Sequence, residues 1–172
     1  MGNHVSARPA ADYVTGIGLQ GIDHVGIAVA DLDAAIEFYQ RVFGMRCVHT
    51  ETNTEQGVRE AMLAVGQSTD RGCVQLLAPL SPDSPIAKFL DRNGPGVQQV
   101  AYTVADIDVA CAALRERSVR VLYDTPKTGT AGSRVNFVHP RDAGGVLVEL
   151  VEPAADAGPD ADADASPPTV IR

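Results

Sequence analysis

The feature that most constrains this chain is an internal repeat with an offset of about 75 residues. Val-Ala-Asp-Leu-Asp at residues 29–33 returns as Val-Ala-Asp-Ile-Asp at residues 104–108. Near the end of each copy, Val-Gln-Leu-Leu-Ala-Pro at residues 74–79 returns as Val-Glu-Leu-Val-Glu-Pro at residues 148–153. Such a repeat predicts two copies of one structural unit, which must pack together to bury their apolar faces.

The order of elements within each copy predicts the fold class. In the first copy, an apolar strand leads into an amphipathic helix with Asp31 as its N-cap and Gly44 at its end, and three further strands follow. The second copy repeats this order, with strands predicted at residues 119–123, 134–138 and 146–151. We therefore predict an α+β protein in which two tandem βαβββ modules, residues 20–94 and 95–153, form one curved mixed sheet.

The two ends of the chain differ in composition from the modules. Residues 1–19 are mostly polar or small and predict a flexible N-terminal segment. Residues 154–172 form a low-complexity acidic segment, which contains too little apolar surface to offset the entropy of ordering. We predict that this tail is disordered.

Charge and cysteine content limit the class of partner and the compartment. The formal net charge of −8 argues against nucleic acid as the main partner. No apolar run approaches the roughly 20 residues of a membrane span, so we predict no membrane partner. The three cysteines show no paired spacing, which predicts reduced thiols and a cytoplasmic protein.

The repeat relates two pairs of polar residues that interrupt apolar strands. His24 corresponds to Gln99, and Gln75 corresponds to Glu149. On one curved sheet these four side chains can converge in a cleft, where an imidazole, two amide oxygens and a carboxylate suit a divalent metal with open coordination positions. The alternative is four unrelated buried polar residues, each satisfied by its own hydrogen bonds.

Glu60 is a further polar residue within an apolar strand. It shares the face of Gln75 only if the hairpin pairs residues whose numbers sum to an odd value. A hairpin centred on Thr69 gives an even sum and places the two side chains on opposite faces. The sequence leaves both registers open, so Glu60 is either a candidate base beside the cleft or a structural glutamate.

Four local motifs carry a resemblance to a known family. They are Glu-Gln-Gly-Val-Arg-Glu at residues 55–60, the Pro/Ser-rich stretch at 76–90, the Gly-containing stretch at 129–140 and Gly-Val-Leu-Val-Glu-Leu at 145–150. From about residue 22 to residue 153 the chain resembles the vicinal oxygen chelate superfamily, also called the glyoxalase/bleomycin resistance superfamily. Within it, the motifs resemble the methylmalonyl-CoA epimerase family rather than the glyoxalase or dioxygenase relatives.

The resemblance implies a metal site and two acid/base groups. A divalent metal such as Co²⁺ is held in the family by residues that correspond to His24, Gln75, Gln99 and Glu149, and the two acid/base carboxylates correspond to Glu60 and Glu149. Gln99 departs from the pattern because the family usually has histidine there. An amide oxygen is a weaker and harder donor than imidazole, which affects the affinity for the metal.

The resemblance also implies an activity and a substrate. It implies an isomerase that interconverts (2R)- and (2S)-methylmalonyl-CoA by two-base proton transfer through a metal-stabilised enolate, and a homodimer. Alternatives are another enzyme of the superfamily, such as a glyoxalase-type lyase, or a non-catalytic small-molecule-binding module. The predicted contacts with the acyl-CoA substrate are Gln56, Lys88, Gly129, Thr130, Ala131, Gly132 and Ser133.

Overall fold

The computed structural model describes residues 16–66 and 72–155. Most of the predicted N-terminal segment, most of the predicted tail and most of the turn between residues 66 and 72 lie outside the described residues. No helix in the described part of the chain is long and apolar enough to cross a membrane. The cysteines Cys47, Cys73 and Cys111 are free thiols, as their spacing predicts.

The described residues form eight strands and three helices in the predicted order. The first module contains β1 (Leu19–Ala28), α1 (Leu32–Phe43), β2 (Arg46–Asn53), β3 (Val58–Ala64), β4 (Cys73–Pro79) and α2 (Pro85–Asn93). The second module contains β5 (Gly96–Val104), α3 (Ile107–Glu116), β6 (Lys127–Thr128), β7 (Arg134–Val138) and β8 (Leu147–Glu152).

All eight strands belong to one mixed sheet in the order β2-β3-β4-β1-β5-β8-β7-β6. β1 pairs with β4 and β5 pairs with β8 in parallel, and every other pairing is antiparallel. The first four strands of this order belong to the first module and the last four belong to the second module. The two modules have equivalent strand orders and meet where β1 pairs with β5. The predicted α+β fold of two modules on one curved sheet is confirmed.

The strand predicted at residues 119–123 is wrong. Within this segment the backbone forms one isolated bridge, between Val121 and Val138, and the edge strand of the second module is the short β6. At the end of this segment, a side chain takes the place of a backbone partner. The Asn136 amide donates to the Tyr123 carbonyl at 3.0 Å and its oxygen accepts from the Tyr123 N–H at 3.2 Å.

The helices α1 and α3 both pack on one face of the sheet. α1 begins at the predicted N-cap, since Asp31 accepts from the Ala34 N–H, and it ends at Gly44 with φ +64°. The buried core beneath α1 includes Leu76, and the core beneath α3 includes Leu150. Because neighbouring residues of a strand point to opposite faces, Gln75 and Glu149 point away from these helices.

Candidate active site

Strand pairing at the centre of the sheet brings the four predicted ligands together. On β1, Gly26 lies between Gln75 of β4 and Gln99 of β5. On β5, Ala101 lies in the equivalent place between the other two predicted ligands. Each module thus contributes one small residue flanked by two polar side chains, which is the arrangement that the repeat predicts.

The four side chains form one buried hydrogen-bonded cluster. His24 Nε2 lies 3.2 Å from Glu149 Oε2, and the Gln99 amide nitrogen donates to the same carboxylate oxygen. The Gln99 amide also donates to Gln75 Oε1 at 3.3 Å. None of the four residues is more than 6% exposed. The predicted convergence is confirmed.

Gly26 provides the space that Gln99 occupies. A Cβ atom at residue 26 would lie 2.6 Å from Gln99 Cγ and 3.1 Å from its Cδ, closer than carbon atoms normally approach. The atom that it would meet is near the backbone of Gln99, so a simple rotation of the amide does not relieve the overlap. A residue without a side chain is therefore required beside Gln99.

We expect Gly26→Ala to lower the free energy of unfolding by about 1–3 kcal/mol, because it overpacks a closed site. Chemical denaturation measures this loss. Gly21→Ala is the matched control on the same strand, since a Cβ there meets no heavy atom within 4 Å. Equal stability of the two variants would show that Gln99 does not need the space beside Gly26.

A second carboxylate orients His24, and the sequence reasoning missed it. Asp23 Oδ1 lies 2.8 Å from His24 Nδ1, and Thr103 donates its hydroxyl proton to Asp23 Oδ2 at 2.9 Å. A carboxylate on one ring nitrogen directs the other nitrogen towards the cluster. Strict alternation places Asp23 on the opposite face, but the β1–β5 register shifts between Ile22 and His24.

The surroundings of His24 favour positive charge. Burial alone lowers the pKa of its imidazole, but the hydrogen bonds to Asp23 and Glu149 outweigh burial and raise the pKa to about 9. The carboxylates of Asp23 and Glu149 therefore stabilise positive charge beside them.

The donor set fits a divalent cation. His24 Nε2 and Glu149 Oε2 lie 3.2 Å apart, close to the edge of about 3 Å expected for octahedral ligands at bond lengths near 2.1 Å. The amide nitrogen of Gln99 faces the cluster, so the amide group must turn by half a rotation to direct its oxygen towards a cation. Within the described ranges, no group of three or more His, Cys, Asp or Glu residues could hold a metal. The candidate site instead combines His24 and Glu149 with two glutamine amides.

The register of β3 and β4 places Glu60 on the face of the cluster. Met62 lies opposite Gln75, so paired residue numbers sum to an odd value and Glu60 shares the face of Gln75. Glu60 Oε2 accepts from the Gln75 amide at 3.0 Å, and Oε1 accepts from the Thr130 hydroxyl at 2.7 Å. The structure therefore selects the register in which Glu60 lies beside the cleft.

The environment of Glu60 suits proton transfer at neutral pH. Burial raises the pKa of its carboxyl group, the Thr130 hydrogen bond lowers it, and the nearby carboxyl groups of Glu51 and Glu149 raise it further, to about 7. Both protonation states are then populated near pH 7. A pKa close to the working pH is the optimum for general acid/base catalysis.

Two cavities meet at the cluster. The larger has a volume of about 370 Å³, and its walls include the apolar residues Leu77, Ile86 and Phe137. The smaller has a volume of about 250 Å³. Glu149 and Thr130 line both cavities. Glu60 is 2% exposed and lies behind Thr130, whose hydroxyl connects it with the cavities.

The predicted substrate contacts lie in different surroundings. Gln56 lines the larger cavity, whereas Lys88 is exposed on α2 and does not belong to either described cavity wall. Lys127, which the sequence reasoning missed, lines the larger cavity and pairs with Glu55 at 3.0 Å. Its position two residues before the Gly-containing stretch was the available signal.

The loop from Gly129 to Ser133 uses much of its hydrogen-bonding capacity within the protein. The N–H groups of Gly129 and Ser133 bond within the loop, and the Ala131 N–H donates to Glu51 at 3.1 Å. The Thr130 hydroxyl contacts Glu60. Substrate binding by this loop, including Gly132, stays a prediction.

Comparison with known proteins defines the class. Residues 23–137 match the model of the Glyoxalase/Bleomycin resistance protein/Dioxygenase superfamily, which covers more than half of the chain. The fold of paired modules and the cluster on the sheet face opposite α1 and α3 agree with this class.

Particular relatives narrow the class to one family. The crystal structure of methylmalonyl-CoA epimerase from Mycobacterium tuberculosis is 57% identical, with a TM-score of 0.77 over 83% of this chain and 93% of that one. A variant of the Streptomyces coelicolor methylmalonyl-CoA epimerase in complex with 2-nitronate-propionyl-CoA is 50% identical, with a TM-score of 0.76 over 80% of this chain and 100% of that one. The mitochondrial methylmalonyl-CoA epimerase of Bos taurus is 39% identical over 147 residues, which cover 85% of this chain and 81% of the relative. The chain belongs to the methylmalonyl-CoA epimerase family.

Proposed function

We propose that this protein interconverts (2R)- and (2S)-methylmalonyl-CoA, with Glu60 and Glu149 as the two acid/base groups. The observation that carries the proposal is the position of both carboxyl groups at the ends of one buried chain of hydrogen bonds. The Gln75 amide donates to Glu60, and the Gln99 amide donates both to Gln75 and to Glu149. Two proton-transfer groups thus flank one cleft.

The chemistry of the substrate requires such a pair. The C2 proton of a malonyl thioester lies between two carbonyl groups, so its removal gives a delocalised enolate. Epimerisation removes this proton from one face of C2 and returns a proton on the opposite face. Glu60 accepts or donates at Oε1, where the Thr130 hydroxyl meets the cavities, and Glu149 acts at its carboxylate on the other side.

We further propose that His24, Gln75, Gln99 and Glu149 hold a divalent metal ion such as Co²⁺. When bound, the metal supplies positive charge that stabilises the negative charge of the deprotonated substrate. Asp23 keeps the His24 ring directed towards the cluster, and Gln99 contributes an amide where the family usually has imidazole. Elemental analysis of the purified protein distinguishes this proposal from a metal-free binding module.

The larger cavity is the proposed site for the acyl group. Its apolar wall accommodates the methyl-bearing carbon, and Gln56 and Lys127 provide polar contacts at the same cavity. The Streptomyces coelicolor relative in complex with 2-nitronate-propionyl-CoA supports an acyl-CoA as the ligand. The contribution of Lys88, the homodimer and the cytoplasmic location stay predictions.

The test is the equilibration of a single C2 epimer of methylmalonyl-CoA by the metal-loaded protein. We expect the stereochemical purity of the substrate to fall at a rate that is proportional to the protein concentration. A hemithioacetal offered in parallel tests the glyoxalase-type alternative. If the protein converted the hemithioacetal and left the stereochemical purity of methylmalonyl-CoA unchanged, it would be a lyase.

A further inference from the structure

We propose that Gln98 binds the acyl-CoA by accepting a hydrogen bond from the amide N–H of its pantetheine arm. The inference rests on the proposed function, because it assigns a further contact to the same ligand in the larger cavity. Gln98 lines this cavity. It belongs neither to the proposed metal ligands nor to the two acid/base groups.

A β-bulge places Gln98 in the cavity wall. Gly26 of β1 lies opposite Gln99, and the next pair joins Ile27 to Val97. Gln98 is therefore the extra residue of a bulge and has no partner on β1. Strict alternation would place Gln98 and Gln99 on opposite faces of the sheet, but both line the larger cavity. The bulge thus turns a second glutamine of β5 towards the proposed site of the acyl group.

The side-chain oxygen of Gln98 lacks a hydrogen-bond partner. In the described part of the chain, Gln98 Oε1 is the only buried side-chain nitrogen or oxygen atom without one. An acceptor that is removed from water without a replacement hydrogen bond is unfavourable, and such atoms are rare in native structures. A bound ligand that donates to this oxygen removes the penalty.

The other glutamines of the larger cavity wall differ from Gln98 in this respect. The Gln56 amide donates to the Thr128 carbonyl at 3.2 Å, and the amides of Gln75 and Gln99 donate to neighbouring side chains. The protein itself orients these three side chains. Because Gln98 Oε1 makes no such bond, the side chain can turn this oxygen towards a ligand without breaking a hydrogen bond of that atom.

An acceptor of this kind selects among the groups of an acyl-CoA. The carboxylate and thioester oxygens of a malonyl thioester are themselves acceptors and cannot donate to Gln98 Oε1. The first N–H group beyond the thioester belongs to the pantetheine arm and is separated from the sulfur by an ethylene group. This amide N–H is therefore the nearest group of the ligand that satisfies the oxygen.

The position of Gln98 along β5 agrees with this assignment. Ala101 of β5 lies opposite Glu149 of β8, and Gln99 is the cluster residue further along the same strand. Gln98 follows, one residue further from Glu149. The order along β5 therefore matches the order along the ligand, with the acyl oxygens at the cluster and the amide beyond the sulfur.

The test compares two methylmalonyl thioesters that differ in this N–H alone. The N-acetylcysteamine thioester keeps the amide of the pantetheine arm, and the 2-acetoxyethyl thioester has an oxygen atom in place of the N–H. We measure kcat/KM for epimerisation of each by the metal-loaded protein and take the ratio of amide to ester. If either thioester is turned over too slowly, inhibition constants against methylmalonyl-CoA replace kcat/KM for both.

We expect the wild-type protein to prefer the amide, and Gln98→Met to lower the amide-to-ester ratio by about tenfold, the contribution expected of one hydrogen bond. Methionine has a similar size and lacks the amide oxygen. Because the substitution removes an unpartnered buried acceptor, we expect Gln98→Met to be at least as stable as the wild-type protein in chemical denaturation. Gln40→Met, at an exposed position on α1, is the matched control and keeps the wild-type ratio.

A wild-type protein without preference for the amide, or an unchanged ratio in Gln98→Met, would overturn the contact. An equal loss with both thioesters would also overturn it, because the lost interaction would not involve the N–H. Normal epimerisation of methylmalonyl-CoA by the wild-type protein would leave the proposed function intact in each of these cases. Absence of that epimerisation would overturn the proposed function, and the contact with it.

Discussion

Glu60→Gln is expected to abolish epimerisation while the protein retains its metal. The amide keeps the size of the side chain but cannot accept the C2 proton, and a positioned acid/base group contributes about 10²–10⁴-fold in rate. Glu60 contacts Gln75 and Thr130 by hydrogen bonds and is not one of the four proposed ligands. Turnover of each epimer and metal content are measured on the same preparation.

The control for this variant is Glu37→Gln, which removes the same charge from an exposed position on α1. It is expected to match the wild-type protein in turnover and in metal content. If Glu60→Gln turned over normally, Glu60 would not be an acid/base group.

Glu149→Gln is expected to abolish turnover and also to release the metal. Glu149 is the only carboxylate among the proposed ligands, and its Oε2 contacts both His24 and Gln99. The substitution removes the anionic donor and the second proton-transfer group together, so we expect a loss in rate of at least about 10²-fold. Cobalt titration by calorimetry and elemental analysis measure the metal.

The contrast between the two glutamate variants separates base from ligand. Both are inactive, but Glu60→Gln keeps the metal and Glu149→Gln loses it. Metal binding by Glu149→Gln with wild-type affinity would remove Glu149 from the ligand set and leave it with proton transfer alone.

Sequence reasoning succeeded where the repeat supplied equivalent positions. His24 and Gln99 occupy matching places on β1 and β5, as do Gln75 and Glu149 on β4 and β8. Because side chains alternate along a strand, equivalent polar residues must lie on one face once the strands share a sheet. The convergence of these four side chains can therefore be predicted without knowing the conformation of the loops and turns.

The remaining features depend on contacts that periodicity does not describe. The face of Glu60 depends on the β3–β4 register, and a shift by one residue reverses it. Asp23 and Glu51 reach the site because irregularities in β1 and β2 interrupt strict alternation. The strand predicted at residues 119–123 fails because the Asn136 side chain takes the place of a backbone partner.

The most direct test of the account is solvent deuterium exchange at C2 of methylmalonyl-CoA, measured with and without added Co²⁺. The account predicts that the wild-type protein incorporates deuterium at C2, faster with Co²⁺ than without it, and that Glu60→Gln does not epimerise the substrate under either condition. Absence of exchange by the wild-type protein under both conditions would contradict the account and favour a non-catalytic binding module.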